Sequence, residues 1–107
     1  MNNPAVVYEK DSDRVIVRTK NCTTKEVQIN DALALLAVNQ PAEFGTEYVG
    51  FIIFHAREFC IKHRLPYEED VDLLHMIDAI MMNYPCSMEY QDEIYRLLIN
   101  YIDVQMS

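Results

Sequence analysis

The feature that most limits what this chain can fold into is a change of hydrophobic period near Asn30. Before it, residues 5–9 (Ala-Val-Val-Tyr-Glu) and 14–18 (Arg-Val-Ile-Val-Arg) are short β-branched runs. Lys10-Asp-Ser-Asp13 between them is rich in turn formers, so the pair reads as a β-hairpin. Asn21-Cys-Thr-Thr24 is a second turn, and Lys25-Glu-Val-Gln-Ile29 alternates like a third strand. After it, apolar residues recur at helical spacing. Asn30 or Asp31 is placed to cap a helix over 32–38, a run of good helix formers stopped before Pro41.

The segment 46–64 reads as a second helix, apolar nearly all round. Tyr48, Val49, Ile52, Ala56, Phe59, Cys60 and His63 form one broad stripe, and Phe51, Phe54 and Ile61 fall on a second side. A helix with so little polar surface packs between a sheet and other helices. A buried strand over 48–55 competes, because short apolar runs are ambiguous by periodicity. The continuation of the pattern through Cys60 and His63 favours the helix.

A third helix is predicted after Pro66, with Glu68-Glu69-Asp70 at the positive end of its dipole. Leu73, Leu74, Ile77, Ile80 and Met81 would face the core, and Glu68, Asp72, His75 and Ala79 the opposite side. Ser87 is a good N-cap for a last helix over 88–104. Tyr90, Ile94, Leu97, Leu98 and Tyr101 make its inner stripe. Asp92, Arg96 and Asp103 lie on its far side, with Asp92 and Arg96 spaced as an i, i+4 pair. The expectation is an α+β fold: a small three-stranded antiparallel N-terminal sheet followed by about four helices packed on one face. The 107 residues fit a single domain over 1–107, with strands in 5–29 and helices in 31–107.

Charge is distributed as unevenly as period. From 1 to 30, Lys10, Arg14, Arg18, Lys20 and Lys25 meet Glu9, Asp11, Asp13 and Glu26. From 66 onward Arg96 stands against Glu68, Glu69, Asp70, Asp72, Asp78, Glu89, Asp92, Glu93 and Asp103, a balance equal to the whole chain's −8. Such a field repels nucleic acid and anionic membrane and attracts basic protein surfaces. Phosphate-backbone affinity rests on neutralising charges, and the surplus here has the wrong sign.

The start, Met-Asn-Asn-Pro, lacks the basic and apolar regions of a secretory leader. The apolar run 48–54 is too short to cross a bilayer. Cys22, Cys60 and Cys86 are odd in number and widely spaced, which argues for reduced thiols in a cytoplasm. Asn21-Cys22-Thr23 formally matches a glycosylation sequon, a chance match without secretion.

Motifs for chemistry are sparse. Cys60-x-x-His63 puts a thiol and an imidazole on one predicted helix face, and Asp72-x-x-His75 resembles half of a carboxylate-bridged metal site. A structural zinc site needs four ligands, and no second pair has ligand spacing. There is no Gly-x-Ser-x-Gly, P-loop or Gly-x-Gly-x-x-Gly, and two glycines could not cradle a phosphate. Cys60 and His63 fall on the predicted core stripe, where a thiol is inert. No metal, cofactor or catalytic residue is therefore assigned.

Surfaces remain. On the last helix Tyr95, Ile99 and Ile102 recur off the core stripe, beside Asp92 and Asp103. Together with Glu68, Glu69, Asp72, Glu89 and Glu93 they compose an apolar anchor with an acidic rim, the make-up of a docking face. The competing reading packs this second stripe inside the domain. The functional expectation is a non-catalytic binding protein masking a basic surface of a partner. By charge and size it is akin to toxin-immunity proteins or phage antagonists of host defence. The alternatives are a homo-oligomeric accessory subunit (a homodimer, for example) burying the Phe51/Phe54 or Tyr95/Ile99 faces, and a small enzyme or metal protein using His55, His63 or His75.

Overall fold

The computed structural model describes residues 5–20, 22–63 and 73–106. Five strands make one antiparallel sheet: β1 (Ala5–Glu9), β2 (Arg14–Arg18), β3 (Thr24–Gln28), β4 (Leu33–Val38) and β5 (Tyr48–Phe54). Their spatial order is β1-β2-β5-β4-β3. Three helices follow, α1 (Ala56–His63), α2 (Leu73–Asn83) and α3 (Met88–Met106). The α+β class holds, but the three-stranded sheet and four helices are corrected to a five-stranded sheet and three helices among the described residues.

The correction falls on two segments. The expected helix over 32–38 is β4, and the expected helix over 46–64 is β5 followed by α1. Both strands are central, so neighbours take up their backbone groups and both faces are buried. Alternation then vanishes from the sequence, as it does in any strand covered on two sides. Tertiary pairing also overrides the helix preference of Leu33-Ala-Leu-Leu-Ala37. Asn30 does make cap-like bonds. Its side-chain oxygen accepts the N–H groups of Ala32 at 2.8 Å and Leu33 at 2.9 Å, but these close the β3–β4 turn instead of opening a helix.

Register sorts the two faces. Val15 and Val17 of β2, Phe51 and Ile53 of β5, and Leu33 and Leu35 of β4 enter the main core. The helices close it with Phe59, Cys60, Met76, Ile77, Ile80, Ile94, Leu97 and Leu98. Leu74, expected inside, is 44 % exposed. The expected start of a helix after Pro66 lies outside the described residues.

The other face carries a smaller cluster, Ala34, Leu36 and Ile52 with Ile16 and Phe54 packed against it. No described helix covers it, yet Ile52 is 2 % exposed. Arginines from β2 reach across instead. Arg18 Nη1 donates to Thr24 Oγ1 at 3.0 Å, and Arg14 lies 3.6 Å from Glu26 and 2.6 Å from Glu9. In a flat sheet β2 and β3 would stand about 14 Å apart. The sheet therefore curls towards this side, and the arginine stems shield its aliphatic floor. Gly50 lies where the curl is tight: a Cβ there would come within 2.2 Å of the Val17 carbonyl oxygen.

One residue of the β1–β2 turn fixes the first helix. Asp13, at φ 54°, accepts the N–H of Ala56 on its carbonyl and those of Arg57 and Glu58 on its carboxylate. His55 supplies the carbonyl for Phe59 N–H. Every N–H in the first turn of α1 thus has an acceptor. The Tyr8 hydroxyl donates to the same carboxylate at 2.8 Å.

Candidate functional site

The acidic and aromatic residues singled out on α3 do not lie on one surface. Glu89, Glu93 and Arg96 share a flank near the start of β5. Arg96 Nη2 bonds Glu93 at 2.6 Å and the Tyr48 carbonyl at 3.4 Å. The i, i+4 pair expected between Asp92 and Arg96 is thus replaced by an i, i+3 pair. Burial, with Tyr90, Glu89 and Glu93 close by, raises the Tyr48 pKa above its ordinary value.

Asp92, Tyr95 and Ile99 occupy another flank, at i, i+3, i+7 spacing. The Tyr95 hydroxyl donates to Asp78 Oδ1 of α2 at 2.6 Å. Burial first, then this bond to a carboxylate, pushes the phenol up to about 12. Asp78 brings Leu74 and Met82 with it, one turn to either side on α2. Ile99 is 55 % exposed, and Leu74 and Met82 are exposed as well. The face is an apolar ridge from two helices around an exposed hydrogen bond, with carboxylates at its centre and its end.

The docking-face residues therefore stand as follows. Asp92 and Ile99 are exposed, while Tyr95 and Ile102 are half-buried and pack against the core with one side. Glu89 is exposed and Glu93 half-buried on the other flank. Glu68, Glu69 and Asp72 lie outside the described residues, as does the side chain of Asp103. Sequence reasoning missed Asp78, Leu74 and Met82. Their i, i+4, i+8 spacing is the signal that marks them, and it sets exposed Leu74 on this face and not in the core.

The histidines and cysteines are dispersed. His63 stacks on Phe59 with ring centroids 4.2 Å apart. His55 stands at the corner between β5 and α1, at φ 53°, with Nδ1 3.7 Å from Glu58. It rims an open cleft of about 240 Å³ with Asp31, Glu58, Lys62, Phe59 and Tyr84. His75 is exposed on α2. Cys60 is buried, and burial first, then the Asp13 charge, raises its thiol pKa. Among the described residues no group of three or more His, Cys, Asp or Glu is arranged to hold a metal ion.

Phe51 lies in the main core and Phe54 is half-buried in the smaller cluster. Phe51 and Phe54 therefore do not share a surface, while Tyr95 and Ile99, the other pair named for an accessory subunit, share the α2–α3 face. No described helix is long and apolar enough to cross a membrane. No protein-family model matches this chain, and no curated protein and no solved structure matches it either.

Proposed function

We propose that this chain is a non-catalytic protein-binding module that docks the α2–α3 face onto a basic surface of another protein and masks it. The carrying observation is the Tyr95–Asp78 bond at 2.6 Å, with exposed Leu74, Met82 and Ile99 around it. It holds two helices in a fixed relation, so the apolar ridge is preorganised and less ordering entropy opposes binding. Asp78 and Asp92 lie on this face, and the one Lys or Arg of 66–107, Arg96, is held by Glu93 on the other flank. A negative field of this kind steers a basic partner and makes association sensitive to salt. An inhibitory or antagonist role, of the immunity or anti-defence type, follows from charge and size by analogy.

The test is affinity capture from host cells with the native chain and the Ile99→Asp and Asp92→Lys variants side by side. The captured partner is then followed by association kinetics over a range of salt. The native chain should retain a basic protein that both variants lose, and Glu89→Lys, on the other flank, should keep it. Equal capture by all four chains, or an association rate indifferent to salt, would sink the proposal.

A further inference from the structure

The two edges of the sheet are built differently. β3 carries Lys25, Glu26 and Gln28, all exposed, the usual protection of an edge against another strand. β1 is the opposite edge, with β2 as its one strand neighbour among the described residues. It has no charge before Glu9, which Arg14 of the same hairpin holds at 2.6 Å.

The exposed side chains of β1 point to both sides of the sheet. Val6 and Tyr8 stand opposite Val17 and Val15, on the face the helices cover, and Val7 stands opposite Ile16 on the other. All three are open to solvent, at 38 %, 37 % and 52 %. A partner laid on either face would cover half of this surface and leave the rest wet. A strand added alongside covers both halves and takes up the outward backbone N–H and C=O groups as well.

We propose that β1 pairs antiparallel with β1 of a second copy, joining two sheets into one of ten strands about a twofold axis at Val7. In that register Val7 meets Val7 of the second copy, and Val6 meets Tyr8, a favourable β-branched–aromatic pair. Charge selects the same arrangement. A parallel in-register pairing sets the two Glu9 carboxylates side by side, whereas the antiparallel one places them opposite Ala5, offset by about 13 Å along the strands. The edge is thus complementary to itself, as an isologous interface requires.

Position 7 gives the experiment, because on the axis it faces its own copy. Light scattering on the eluting native chain, from micromolar to submillimolar concentration, should give twice the monomer mass at the upper end. Val7→Lys and Val7→Glu should each give half that mass, with monomer unfolding curves close to the native one. An equimolar mixture of the two variants should recover the doubled mass. In the native chain, amide exchange over 5–9 should slow as concentration rises. A native chain that stays monomeric throughout, a dimer that survives Val7→Lys, or a mixture that fails to reassociate would each overturn the proposal. The last outcome would leave β1 free for a strand from a different protein.

Discussion

Asp13 and Arg57 are 44 residues apart in sequence, and the carboxylate of the first accepts the backbone N–H of the second at 2.7 Å. A turn at the edge of the sheet thereby caps a helix that begins at its centre. Partial burial works against the charge on Asp13. The N–H of Arg57, the Tyr8 hydroxyl and the N–H of Glu58 outweigh it and hold the carboxyl below its ordinary value.

Asp13→Asn should cost about 1–2 kcal/mol, because an amide replaces one acceptor oxygen by a donor facing other donors. The pH dependence follows from the lowered pKa. The native carboxylate contributes fully above the unfolded-state pKa, and the contribution is lost as pH falls through the folded-state value. The gap between native and Asp13→Asn urea midpoints should therefore be widest near neutral pH and narrow in the acid range. A gap that stays constant down to low pH would contradict the cap.

Gly50→Ala should destabilise the fold by about 3 kcal/mol, since the atom met at 2.2 Å is backbone and cannot rotate away. Gly45→Ala has nothing within 4 Å of the new Cβ and strains only a φ of +74°, so about 1 kcal/mol is expected. Chemical denaturation of both variants gives the comparison. Equal costs would mean that the sheet is less tightly curled at Gly50.

Tyr95→Phe should lose about 1 kcal/mol with the bond to Asp78, and Tyr95→Ala about 2–3 kcal/mol with the half-buried ring. The phenol's folded pKa is raised, so its contribution is intact below about pH 10 and disappears as pH rises towards about 12. Ultraviolet titration should show one tyrosine fewer ionising near pH 12 in Tyr95→Phe than in the native chain.

Thiol labelling of the native protein should modify exposed Cys22 quickly and buried Cys60 only through unfolding. Urea well below the midpoint should leave the Cys60 rate low, and a rate near that of a free peptide thiol would displace Cys60 from the core.

The β1–β2 hairpin was legible because both runs are β-branched, β2 has a dry and a wetter side, and Lys10-Asp-Ser-Asp13 spells its own turn. β3 was legible from the alternation of Val27 and Ile29 with polar residues. β4 and β5 were not, since a strand buried on two faces writes the same apolar run as a buried helix. Asn30 misled for a physical reason: a side-chain oxygen that accepts two successive N–H groups serves a turn as well as a helix. On α3 the departure of Tyr95 and Ile99 from the core stripe was visible from spacing. The role of Asp78 was not, because its partner is 17 residues on and on another helix. The arginine strap was hidden by the same error as β4 and β5, the two strands it crosses.

The strand order has a consequence for how the chain is made. β5 is the last synthesised of the described strands, yet it joins β2 on one side to β4 on the other. Until Phe54 has left the ribosome, the sheet can exist only as two separate hairpins. Their inner strands, Arg-Val-Ile-Val-Arg and Leu-Ala-Leu-Leu-Ala-Val, are then open edges of high β-propensity or high hydrophobicity. The final strand acts as a keystone, and a nascent chain stalled at residue 47 should aggregate or recruit chaperones where one stalled past residue 106 does not. Pelleting of released nascent chains of the two lengths measures the difference, and equal solubility would show that the hairpins protect themselves.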